Sequence, residues 1–191
     1  MTEPTKTGKI LRGCRAFWLS FNDTDWTCLG KDTDDLSIEL NPDTEQVKNV
    51  QGETTFVNNG YTPSLSNDSY IARYEDAIYE PLQTIANTLA TDDARTAATL
   101  IVATLTDEVK ESATKTLTGS GFKVPVKVVV DSDGASTSGY GIPFTISEDG
   151  ARVQGTVSVA NKVPTFTPEG GASGASLDEP TQGKSGGSLS D

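Results

Sequence analysis

Along this chain, short runs in which apolar and polar residues alternate are separated by clusters of Asn, Asp, Gly and Pro, and a single stretch repeats with helical period. Residues 14–21 are rich in aromatics and predict a strand, Asn22 to Asp25 are turn formers, and residues 26–29 predict a short returning strand ended by Gly30. Leu36, Ile38 and Leu40 then alternate with Ser37 and Glu39, the two-residue period of a half-buried strand, and Asn41-Pro42-Asp43 should stop it. Extended segments at 46–50 and 53–57 are separated by Gly52, Asn58-Asn59-Gly60 reads as a turn, and residues 61–65 read as extended with an edge-favouring Pro63.

The helical period belongs to Ile78, Leu82, Ile85, Ala86 and Leu89, which place one apolar stripe on a helix over about residues 76–90. Asp76 is its expected N-cap, and Pro81 falls near the first turn, where a missing N–H matters least. Beyond it, residues 97–105 are β-branched and apolar, and residues 110–121 read as a long Ser/Thr/Gly-rich loop. Residues 122–130, with Val128 and Val130, form the strongest strand pattern in the chain. Ile142, Phe144 and Ile146 alternate after it, then Val153, Gly155, Val157 and Val159 share a face, and residues 163–167 close the domain. The organisation expected is a flexible arm at 1–13, a β domain at 14–168, and a disordered Gly/Ser-rich tail at 169–191 that is too polar to offset its ordering entropy.

Composition narrows the function. Twenty-seven acidic side chains stand against 15 basic ones, a formal net charge of -12, which repels phosphate backbones and argues against nucleic-acid affinity by counterion release. Histidine is absent, which removes Ser-His-Asp and Cys-His mechanisms and the commonest metal ligand. Cys14 and Cys28 are too far apart for a chelating pair and read as free, strand-embedded thiols of a reducing cytoplasm. No signal-peptide pattern is visible, and no run approaches the ~20 apolar residues of a membrane span.

Candidate chemistry is sparse. Asp32, Asp34 and Asp35 lack the spacing of a calcium loop, and Asp131-Ser132-Asp133-Gly134 lacks the distant bidentate glutamate, so solvated turns are the simpler reading of both. Gly139, Gly141, Gly150 and Gly155 are followed by no phosphate-binding lysine. Lys123 and Lys127 share the exposed face of the valine strand as edge charges, and Trp18 and Trp26 read as core. No cofactor and no catalytic acid–base pair are expected. Half-apolar strands covered by one helix instead leave edges and faces that need neighbours, which favours an oligomer.

Several of these patterns occur together in one known family. Trp26, Leu29-Gly30 and the run Thr33-Asp34-Asp35-Leu36-Ser37-Ile38-Glu39-Leu40-Asn41-Pro42-Asp43-Thr44-Glu45 resemble the N-terminal region of major tail proteins from siphophages of Gram-positive bacteria. Lys48-Asn49-Val50 with Gly52-Glu53-Thr54, then Asn59-Gly60-Tyr61 with Pro63, are similar as well. Asp76, Ile78-Tyr79 and Leu82 resemble the start of that family's single helix, and Ile142 to Ile146 with Pro164 to Pro168 its C-terminal hairpin. The resemblance covers residues 14–168 and rests on the order of strand and turn patterns.

It implies a mainly β fold, a sandwich or barrel-like tail tube domain with one flanking helix and long loops. It implies further that copies form rings, hexameric in that family, stacked into a virion tail tube through which DNA is ejected. The partners would be the chain itself, the tape measure, tail-tip and tail-terminator proteins, and genomic DNA in transit, with no membrane involved and synthesis in the host bacterial cytoplasm. Glu39, Glu45 and Glu53 are then candidates for a DNA-repelling lumen, and Asp32, Asp34, Asp35, Lys115 and Ser120 for ring-to-ring loops, a job the arm at 1–13 could share. The rival reading, from a different class, is a monomeric Ig-like module that decorates a capsid or binds a host surface; an enzyme comes third.

Overall fold

The computed structural model describes residues 9–31, 33, 35–48 and 50–169. The arm's first eight residues, the tail from 170 onward, Asp32, Asp34 and Asn49 lie outside them. In chain order the elements are strands β1 (Arg15–Ser20), β2 (Thr27–Cys28), β3 (Pro42–Lys48), β4 (Thr54–Tyr61) and β5 (Ser64–Asn67), then helices α1 (Tyr79–Thr88) and α2 (Asp93–Thr96). Strands β6 (Ala97–Leu105), β7 (Leu117–Val130), β8 (Gly134–Ser136), β9 (Gly139–Gly141), β10 (Phe144–Glu148), β11 (Val153–Ala160) and β12 (Val163–Pro168) complete the domain. The fold is mainly β, as the alternation implies, and its main sheet is a curled half-barrel.

That sheet runs β12-β11-β7-β6-β1-β2, all antiparallel, with β10 and β5 attached beside the far end of β7. β7 is its spine: residues 119–127 pair with β6 on one side, while on the other residues 117–123 pair with β11 and residues 126–130 with β10. Pro125 lies between β10 and β11, where its missing N–H breaks no ladder bond on that side.

Period-2 alternation buries both faces. On one, Phe17, Leu19, Leu100, Val102, Phe122, Val124, Val126, Val128, Phe144 and Ile146 form the larger core, closed by Leu65, Ile142 and the helix residues Ile78 and Leu82. Val130 packs at its margin and Ile85 is buried on α1. On the other, Ala16, Trp18, Ile101, Ala103, Leu105, Leu117, Val157 and Val159 form a second core with Trp26 and Phe166. Trp18 is fully buried, and its indole N–H donates to the Lys162 carbonyl at 2.9 Å. Lys162 lies in the β11–β12 turn, at the opposite end of the strand order, so the curl brings the two ends of the sheet together. A row of small residues marks the bend: Ala16, Ala103, Gly121 and Gly155 are register partners across four strands. A Cβ on Gly121 would stand 2.2 Å from the Val102 carbonyl oxygen, so only glycine permits this approach.

Several expectations need correction. Residues 36–40 form no strand: only Glu39 bridges, exchanging two backbone hydrogen bonds with Ser64. Leu36 and Ile38 still tuck against the larger core, but Leu40 is 47% exposed and is not a core residue. Asn41-Pro42-Asp43 opens a strand rather than ending one, and Asn58-Asn59-Gly60 is no turn but lies within β4. The helix is shorter than 76–90: Ile78 and not Asp76 caps it, and Asp76 contributes its backbone carbonyl to Tyr79. Leu89 takes the left-handed C-cap conformation, donates its N–H to the Ile85 carbonyl, and is 85% exposed, since no glycine follows the last turn to do this. A second, one-turn helix follows at Asp93–Thr96. The loop expected at 110–121 is a 3₁₀ turn, Val109–Ala113, and the first residues of β7. Its Ser, Thr and Gly content reflects the exposed, close-packed bend of the sheet. Cys14 lies in a 3₁₀ turn ahead of β1, and both thiols are free.

Candidate self-association surface

Among the described residues β3 and β4 pair only with each other, apart from the main sheet. Gly52, with φ of 85°, turns the chain between them. The register shifts between Asp43 and Thr44, which face Gly60 and Asn58, so Asn59 is the extra residue of a bulge. The base is tied down: the Thr62 N–H donates to the Asn41 carbonyl, and the Asn41 side-chain amide to the Thr62 carbonyl and the Ser64 hydroxyl.

No described residue of this hairpin is buried, yet it carries apolar side chains on both faces. Opposed pairs share a face, so Asp43, Glu45, Val47, Thr55 and Val57 form one side, with Gln46, Lys48 and Phe56 on the other. Phe56 is 65% exposed. An exposed two-stranded hairpin with apolar residues on each face is marginal alone and is stabilised by packing against something else. At its base, Leu40, Tyr61 and Pro63 join Gly150 and Arg152 around an open depression of about 650 Å³. Its rim is rigid, because Arg152 clasps the nearly buried Glu148 carboxylate at 2.6 and 2.8 Å and lies over the Phe122 ring at 4.3 Å.

The segment ahead of β1 has the opposite charge. Lys9, Arg12 and Arg15 are exposed, and between the first two stand Ile10 at 66% and Leu11 at 55% exposure. The Arg12–Cys14 turn is held by the Cys14 N–H on the Leu11 carbonyl. Arg15 donates to the Thr104 hydroxyl at 2.9 Å; burial, then the nearby Arg152 charge, lowers its pKa. From Arg15 the convex face of the curl continues through the register partners Thr104, Ser120, Thr156 and Thr167, a row of neutral hydroxyls. Among the described residues the outer edge of β12 carries no partner strand.

The residues singled out from sequence are scattered over these features. Glu39, Glu45 and Glu53 are all exposed, but the first bridges β5, the second lies mid-hairpin, and the third sits just ahead of β4. Of the ring-to-ring set, Asp35 is exposed and Asp32 and Asp34 lie outside the described residues. Lys115 precedes β7 and pairs with Asp107 at 2.6 Å, a hydrogen bond that raises its pKa. Ser120 is no loop residue: it lies within β7, between Thr104 and Thr156. The extended segments expected at 46–50 and 53–57 around Gly52 overlap β3 and β4; what sequence reasoning missed is that the pair stands apart from the main sheet, although one signal was there: Val47, Phe56 and Val57 lie within two polar segments and fit no single alternating face.

Among the described residues no cluster of three or more Cys, Asp or Glu side chains is arranged to hold a metal ion, and no helix is long and apolar enough to cross a membrane. No protein-family model and no curated protein matches the chain.

Proposed function

We propose that this chain is a self-assembling structural subunit, the tube-forming protein of a bacteriophage tail. The observation that carries the reading is the β3–β4 hairpin, which among the described residues joins no other strand and exposes apolar residues on both faces. A monomer gains little from such an arm, whereas an assembly uses it to reach a neighbour. The edge of β12, unpaired among the described residues, and the half-barrel shape of the sheet support the same reading, since sheets from several copies can close into a ring and remove their edges. A net charge of -12 suits a conduit for DNA, because the duplex is repelled rather than held. In this reading the rings, hexameric in the family the sequence resembles, stack into the virion's tail tube around the tape measure protein, between tail-tip and terminator proteins. Subunits made in the host cytoplasm join there, and genomic DNA passes only in transit.

Negative-stain electron microscopy and sedimentation of the purified chain, beside a version whose hairpin is cut to a short turn, test the proposal. Tubes or stacked rings from the full chain alone, with the shortened version monomeric, are expected. A full chain that remains monomeric and binds capsids or cells would replace this reading with that of a decoration module.

A further inference from the structure

We infer that the hairpin's acidic face docks on the basic segment 9–15 of a second copy, an inference that rests on the assembly reading above. The two surfaces match in kind. On the hairpin, Asp43 and Glu45 share one face with Val47 and Val57, Glu45 directly opposite Val57. On the segment, Lys9 and Arg12 flank Ile10 and Leu11, and Arg15 follows on β1. Each is an exposed apolar pair bordered by charges of one sign, and the signs are opposite. The hairpin face contains no cation, since Lys48 points to the other side.

In a chain this acidic, a segment of seven residues with three cations and no acid is a local exception. The neighbouring Glu108, against which Gly13 packs, is itself paired with Lys110. Apolar contact would supply affinity, and the flanking charges would set the register and disfavour pairing of two hairpins or of two segments. Donor and acceptor are different surfaces of one chain, so every copy has one of each and the contact can propagate through a ring or stack. Asp43 and Glu45 are thereby assigned to a subunit contact, and any lumen charge rests on other acids.

Charge reversal tests this directly. One variant carries Asp43→Lys and Glu45→Lys, so that both its surfaces are basic; the other carries Lys9→Glu and Arg12→Glu, so that both are acidic. Each alone should raise the critical concentration for assembly by about tenfold or more, because like charges then face one another. An equimolar mixture should recover assembly, since each variant's hairpin meets the other's segment with opposite sign. Milder Asp43→Asn, Glu45→Gln protein, whose fold is least disturbed, should assemble with reduced salt sensitivity. The inference is overturned if either reversal assembles like the parent, or if both are impaired and the mixture stays impaired while the parent forms tubes. A parent that does not assemble at all overturns the tube reading itself, and the inference with it.

Discussion

Replacing Trp18 with Phe removes one indole N–H and one ring from the place where the two ends of the sheet meet. Trp18 is fully buried in the second core, and its N–H is the donor to the Lys162 carbonyl in the β11–β12 turn. That turn is half open, so water replaces part of the lost hydrogen bond and the cost falls at the low end, about 1 kcal/mol. The space left by the missing ring adds about 1 kcal/mol in a core that relaxes only partly. Together the loss is about 2 kcal/mol, or roughly 4–8 °C in Tm for a domain of this size. Trp26→Phe is the control. Trp26 is half-buried under the Lys123 ammonium, 5.8 Å from its ring, and this change should cost under about 1 kcal/mol. Urea titration followed by far-UV circular dichroism measures both. If Trp18→Phe lies within about 0.5 kcal/mol of the parent, or is no worse than Trp26→Phe, the clasp does not hold the curl and the argument fails.

Gly121→Ala should destabilise by more than the ~1 kcal/mol typical of point mutants, because its Cβ meets the Val102 carbonyl backbone; the same urea titration reports it. Cutting the hairpin to a short turn between Asn41 and Thr62 should leave Tm within a few degrees, since the arm buries nothing of its own and its base is already hydrogen-bonded, while sedimentation loses the assembled species. Burial pushes the Cys28 thiol up to about 11 from 9.0. Folding therefore favours the protonated thiol, so its contribution to stability is complete below pH 9 and is lost as pH rises toward 11. Labelling of Cys28 by a thiol reagent at pH 8 should correspondingly be slow in the folded chain and fast in urea.

Where a strand packs one face on a core, its sequence announces it: the second half of β7 and β10 were legible because Val124, Val128, Phe144 and Ile146 alternate with exposed or half-exposed neighbours, while β6, buried on both faces, was legible as an unbroken β-branched apolar run. The helix was legible from Ile78, Leu82 and Ile85, but its end was not, because Leu89 fits the apolar stripe and is spent on a left-handed cap. The start of β7 was misread because close approach in the bend demands Gly119 and Gly121, residues that locally signal a loop. Asn58-Asn59-Gly60 misled in a similar way: the same conformational freedom serves a bulge as well as a turn. The hairpin was the least legible feature. Burial patterns report what a chain packs against itself, and no residue of β3 or β4 is buried.

Whether this chain assembles through its hairpin decides its function. Analytical ultracentrifugation of the purified protein across a concentration series, with electron microscopy of the fast-sedimenting fraction, measures that directly. Tubes or stacked rings from the full chain, lost when the hairpin is shortened while the circular dichroism melt is unchanged, are the predicted result. A monomer at every concentration, or tubes that form equally well without the hairpin, would contradict it.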